Sequence, residues 1–76
     1  MVIVNDRSIL NNHHIDKFKL VYGLGVFNND FTKYWALYPY SEDDDYHGYC
    51  ASSDNYEEIK IWCDLHGLKI NKEMIF

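Results

Sequence analysis

From Phe18 to Phe27 the chain alternates with a period of two. Phe18, Leu20, Tyr22, Leu24 and Val26 fall on one face, and Lys19, Val21, Gly23, Gly25 and Phe27 on the other, as a β-strand requires. Gly23 and Gly25 share a face, which points to a bulge, a bend or the close approach of another backbone ahead of a ligand. Asn28-Asn29-Asp30 follows as a turn signal, because Asn and Asp tolerate left-handed backbone and bond their own main chain. The returning strand is expected over Phe31 to Tyr38, where aromatic and β-favouring residues dominate, and it stops at Pro39. Ser41 to Asp45 then reads as an acidic loop, and Tyr46 to Ala51 as a short third strand.

The periodicity next switches to that of a helix. Ser52 or Ser53 offers an N-cap, Asp54, Glu57 and Glu58 occupy the first turn where the helix dipole favours negative charge, and Gly67 stands where a C′ glycine belongs. This predicts a helix over about 54–66. At about 100° per residue, Tyr56, Ile59, Trp62, Cys63 and His66 share a sector of about 120°, the expected core stripe. Ile61 and Leu65 stand on the opposite side as a neighbouring pair beside Glu58. Leu68 to Ile70 is expected to return as a short strand, the apolar Met74-Ile75-Phe76 to dock, and Val2 to Val4 to add another short strand. Asn5 to Asp16 shows no clear period and reads as irregular or weakly helical. The expectation is one α+β domain over residues 1–76: a small antiparallel sheet of three to four strands (a hairpin at about 18–38, a strand at about 46–51) on one helix (about 54–66), with a short C-terminal strand.

Composition refines this picture. With 47% apolar and 17% aromatic residues the chain is too hydrophobic for intrinsic disorder. At 76 residues its single core is expected to supply only about 3 to 5 kcal/mol, so a dimer, a metal or a tight partner would add materially to stability. The formal charge of −5 argues against direct nucleic-acid binding through a basic footprint. It is unevenly spread: residues 1–38 hold four bases and three acids, residues 39–76 three bases and nine acids. Two cysteines make no disulfide framework, and the opening Met-Val-Ile-Val is too short for a signal peptide or a bilayer span. A cytoplasmic protein without membrane association is the expectation. Six Lys to one Arg, with seven each of Asn, Ile and Tyr, is what AT-rich coding sequence produces.

Candidate chemistry is sparse. His47-x2-Cys50 and Cys63-x2-His66 have the ligand number and spacing of a small zinc module, with Cys63 and His66 one helical turn apart. Against this, Cys63 lies on the core stripe, where a free Cys commonly acts as a small hydrophobe, and the helix dipole alone favours His66. His13-His14 reads as two polar side chains at the surface, since adjacent side chains diverge. The acidity around both cysteines raises thiol pKa values and disfavours a nucleophile, and Gly23-Leu24-Gly25 lies in a strand pattern with no following helix, unlike a phosphate loop. No catalytic residue and no cofactor is assigned, and the protein is expected not to be an enzyme.

The acidic and aromatic stretch carries the functional expectation. Tyr38, Tyr40, Glu42, Asp43, Asp44, Asp45, Tyr46 and Tyr49 interleave rigid amphipathic rings with carboxylates, a composition suited to a basic partner surface, and Tyr40, Glu42, Asp43, Asp44, Asp45 and Tyr46 are the expected contact residues. The favoured reading is a small acidic, non-enzymatic protein that binds a basic, nucleic-acid-handling partner protein and inhibits it by occupancy. In composition it is similar to phage and mobile-element proteins that block host defences such as CRISPR effectors or restriction enzymes. Two alternatives stand beside it: a dimeric regulatory or antitoxin-type module joined through Ile61 and Leu65, and a small zinc-stabilised domain using His47, Cys50, Cys63 and His66.

Overall fold

The computed structural model describes residues 1–7, 17–39 and 48–76. Among these, the elements run β1 (Val2–Val4), β2 (Phe18–Phe27), β3 (Asp30–Pro39), β4 (Ala51–Ser53), α1 (Tyr56–Leu65) and β5 (Ile70–Ile75). The alternating segment does form a hairpin. Asn28 and Asn29 both take positive φ, 50° and 70°, the left-handed pair that lets a two-residue turn match the twist of the flanking strands. Strand β3 accordingly begins at Asp30, one residue before the expected start. Pairing runs without a break from Phe27↔Asp30 to Phe18↔Pro39, so the glycines of β2 mark no bulge against β3.

The sheet has the order β1-β4-β3-β2-β5. Three of its pairings are antiparallel, and β5 lies parallel to β2. This enlarges the expected three or four antiparallel strands to five with one parallel edge. The C-terminal strand is Ile70–Ile75, not Leu68 to Ile70, and the one register shift in the sheet falls between Phe18 and Lys19 on the β2 side of that pairing. The docked tail is present as backbone: the Phe76 N–H donates to the Tyr22 carbonyl at 2.8 Å, while the Ile75 and Phe76 side chains stay exposed.

Two boundaries shifted for one reason. The cap of α1 is Asn55, whose Oδ1 accepts the Glu58 N–H at 3.0 Å, and not Ser52 or Ser53. This leaves both serines in β4, so that strand occupies Ala51–Ser53 and not Tyr46 to Ala51; Tyr46 and His47 lie outside the described residues. Ser53 Oγ instead accepts the Asn55 N–H at 3.1 Å, steering the chain into the helix. At the other end Gly67 has φ 69°, the Leu68 N–H bonds the Cys63 carbonyl at 2.9 Å and the Gly67 N–H that of Asp64 at 3.2 Å, a Schellman termination.

Helix α1 covers one face of the sheet. Phe18, Leu20, Leu37, Cys50, Ala51, Ile59 and Cys63 form the buried cluster, with Trp35, Trp62 and Ile70 packed at its margin. Of the expected helix stripe, Ile59 and Cys63 are buried and Trp62 is half-buried, whereas Tyr56 and His66 are exposed. The covered area ends near Tyr22 and Trp35, whose rings lie 4.8 Å apart; beyond them Leu24, Val26 and Phe31 are 62%, 62% and 72% exposed although they continue the same face. No helix among the described residues is long and apolar enough to cross a membrane.

Candidate functional site

Among the described residues no helix lies over the face of the sheet turned away from α1. Register places Lys19, Val21, Gly23 and Gly25 of β2 there, opposite Tyr38, Ala36, Tyr34 and Thr32 of β3. The tyrosines gather into one cluster. Tyr49, just ahead of β4, sets its ring edge-on to both Tyr34 and Tyr38 with centroids 6.0 Å away in each case, and Tyr34 stacks on Phe27 at 5.6 Å. Burial, followed by its side-chain hydrogen bond with Tyr49, pushes the Tyr34 phenol up to about 12, and burial likewise raises Tyr38. Tyr34 and Tyr38 are therefore uncharged at neutral pH and present ring faces and hydroxyls. One ring face already holds a cation, since the Lys19 ammonium lies 5.3 Å from the Tyr38 centroid.

The two glycines, indistinguishable in the sequence, do different work. A Cβ on Gly25 would lie 2.9 Å from the Tyr34 ring, so Gly25 is what allows that ring to lie across β2. A Cβ on Gly23 would meet nothing nearer than the Phe76 Cβ at 3.9 Å. Gly23 instead leaves a hollow. Together with Val21 and Ala36 it floors an open groove of about 340 Å³ walled by Tyr34, Tyr38 and Phe76. A glycine inside a strand costs about 0.5–1 kcal/mol relative to Ala, and at Gly23 no packing constraint requires it. Gly23→Ala is accordingly expected to hold or raise the melting temperature. Gly25→Ala, by forcing Tyr34 off Phe27, should lower stability by about 1 kcal/mol and weaken the near-ultraviolet circular dichroism of the tyrosines. Equal effects at the two positions would contradict this division.

The described residues that flank the acidic stretch in the chain lie at this cluster. Tyr40, Glu42, Asp43, Asp44, Asp45 and Tyr46 lie outside the described residues, as do His13, His14 and His47. The chain leaves the sheet at Pro39, directly after Tyr38, and Gly48 leads back into Tyr49. The Cys50 N–H then bonds the Leu37 carbonyl at 2.8 Å, fixing the return beside the departure.

A second surface lies on the outside of α1. Ile61 and Leu65 are 58% and 78% exposed, on the side away from the core as their spacing indicates. With Met1, Val2, Glu58 and Trp62 they line a shallow groove of about 280 Å³ between the start of the chain and the helix. The Met1 ammonium contacts Glu58 and lies 3.5 Å from Asp54.

Among the described residues Cys50, Cys63 and His66 do not draw together, and His47 lies outside them. Cys63 is fully buried on the covered side of α1, and the buried Cys50 thiol donates to the Leu37 carbonyl at 3.1 Å. His66 is exposed at the helix end with its ring 4.7 Å from that of Trp62. A thiol that donates a hydrogen bond in an apolar setting is protonated, the opposite of what a metal ligand requires. Among the described residues no three His, Cys, Asp or Glu side chains converge. Searches against protein-family models, curated proteins and solved structures found no match.

Gly23, Ala36, Tyr34 and Phe76 escaped the sequence reading of the site. The signal of the first three was present in the hairpin itself: with the turn fixed at Asn28-Asn29, Gly23 falls opposite Tyr34 and Ala36 lies beside it, a small-residue floor next to rings, whereas Phe76 arrives through β5 and has no such signal.

Proposed function

We propose that this chain is a non-enzymatic interaction protein that binds a basic surface of a larger protein. Its contact area is the tyrosine face, and Glu42, Asp43, Asp44 and Asp45 supply the electrostatic attraction. The observation carrying this reading is that both ends of the acidic stretch meet the fold at the tyrosine cluster, where the Tyr38 and Tyr49 rings are 6.0 Å apart. Rings of this kind offer large contact area with few torsions to immobilise and take Arg and Lys side chains on their faces. Adjacent carboxylates raise the encounter rate and match the charge of such a partner. Where the occupied surface otherwise holds nucleic acid, the carboxylates stand in for phosphates and the outcome is inhibition by occupancy.

The test is retention of a partner captured from the native host with the wild-type protein and identified by mass spectrometry. Changing Asp43, Asp44 and Asp45 together to Lys should abolish retention and leave the melting temperature nearly unchanged. Gly23→Val, which fills the groove without a steric conflict at Cβ, should weaken the same interaction at least tenfold, about 1.4 kcal/mol. A partner held equally by both variants would refute the reading.

A further inference from the structure

The outer face of α1 joins an apolar pair to a one-sided charge pattern. Ile61 and Leu65 project from the helix between Glu57 and Asp64 on one flank and Glu58 on the other. The single lysine of the helix does not offset them, because the Lys60 ammonium is turned toward β5, 3.7 Å from Glu73 and 5.8 Å from the Tyr56 ring centroid. Glu57 and Asp64 pair with no base among the described residues. The last turn of α1 carries no basic residue, so the partial negative charge of the helix C-terminus adds to Asp64 in place of being countered. Glu58 and Asp54 share the Met1 ammonium. The groove lined by Met1, Val2, Glu58, Ile61, Trp62 and Leu65 is thus mainly apolar, with Glu58 engaged by the Met1 ammonium and with Glu57 and Asp64 standing beyond Ile61 on the helix surface.

We infer that this groove docks a basic amphipathic segment of another protein, whose aliphatic side chains enter between Ile61, Trp62 and Leu65 while its Lys or Arg residues face Glu57 and Asp64. Charge decides against the other occupant of such a face, a second copy of this chain. An isologous contact through Ile61 and Leu65 would bring the same acids of two helices together, with both Lys60 side chains engaged elsewhere. The inference does not rest on the tyrosine face, which lies on the other side of the sheet.

The probe is a synthetic amphipathic helix of Leu and Lys, compared with its Leu and Glu counterpart by fluorescence anisotropy and by backbone amide shifts in nitrogen-15 spectra. The Leu/Lys peptide should bind at least tenfold more tightly than the Leu/Glu peptide, about one decade in Kd. Its shifts should centre on residues 57–65, and its affinity should fall as salt rises. Ile61→Ser with Leu65→Ser, at two exposed positions, should remove that binding with circular dichroism unchanged, and Glu57→Gln with Asp64→Asn should weaken it and flatten the salt dependence. Equal binding of the two peptides would overturn the inference. So would binding that survives the Ile61 and Leu65 changes but is lost when Asp43, Asp44 and Asp45 become Lys, which would place the peptide on the tyrosine face. A dimeric mass by light scattering that Leu65→Ser reduces to a monomer would assign the groove to a second copy.

Discussion

Leu37→Ala should leave the chain mostly unfolded at room temperature. Leu37 is fully buried on the helix-facing side of β3, opposite Leu20 on β2 and Ala51 on β4, and belongs to the same cluster as Ile59 and Cys63 of α1. Truncating a buried Leu costs about 2–5 kcal/mol in lost transfer energy and residual cavity, and the core of so small a domain supplies about 3–5 kcal/mol in total. Its carbonyl also accepts both the N–H and the thiol of Cys50, so loosening β3 there releases the connection into β4. Leu24→Ala is the control. Leu24 sits on the same face of the hairpin but 62% exposed, and its truncation should cost no more than about 0.5 kcal/mol. Chemical denaturation followed by far-ultraviolet circular dichroism separates the two, and similar midpoints for Leu24→Ala and Leu37→Ala would refute the core described here.

That contrast also marks how far the sequence could be read. The period of two from Phe18 to Val26 assigns five residues to one face and is correct in doing so. Periodicity records which way a side chain points and not how far the covering layer extends. Helix α1 is ten residues long and reaches only as far as Tyr22 and Trp35, so Leu24 and Val26 carry the core pattern without the core. The helix start was misplaced for a related reason: Ser52, Ser53, Asp54 and Asn55 are all acceptable caps, and what selects Asn55 is the pairing of Ser52 with both Ile3 and Ala36 in the sheet. The parallel pairing of β5 with β2 depends on contacts across some fifty residues and has no local signature.

The residues that the sequence singles out and the cluster that the structure describes are different parts of the chain. The acidic stretch stands out in the sequence and lies outside the described residues, whereas the rings that the structure assembles are Tyr34, Tyr38 and Tyr49, brought together by the hairpin register and the return of the chain at Cys50. Two glycines on one face suggested a backbone device, which fits Gly25 beneath Tyr34. Gly23 differs only in what lies above it, and that is a property of the fold.

Stability should fall steeply above about pH 9, driven by two buried thiols. Desolvation by burial pushes Cys50 up from 9.0 to about 12, with Asp6 and Cys63 adding to it against two backbone hydrogen bonds, and pushes Cys63 up to about 11. A thiol whose pKa is higher in the folded chain than in the unfolded one destabilises nothing below the unfolded value. As pH rises past 9.0 the unfolded state releases its proton and the folded state does not, so unfolding gains about 1.4 kcal/mol per pH unit from each cysteine until the folded pKa is reached. By pH 11, where Cys63 itself titrates, the two together remove roughly 5 kcal/mol, as much as the whole domain is expected to hold. The raised Tyr34 and Tyr38 act in the same direction at higher pH. Urea midpoints between about pH 7 and pH 10.5 should therefore drop, and the thiols should resist iodoacetamide at about pH 8 unless the chain is unfolded. Cys50→Ala and Cys63→Ala will each lower stability at neutral pH by leaving a small cavity, yet each should make the alkaline slope shallower by about one proton. An unchanged slope in both variants, or alkylation of the folded protein at about pH 8, would remove the cysteines as the cause.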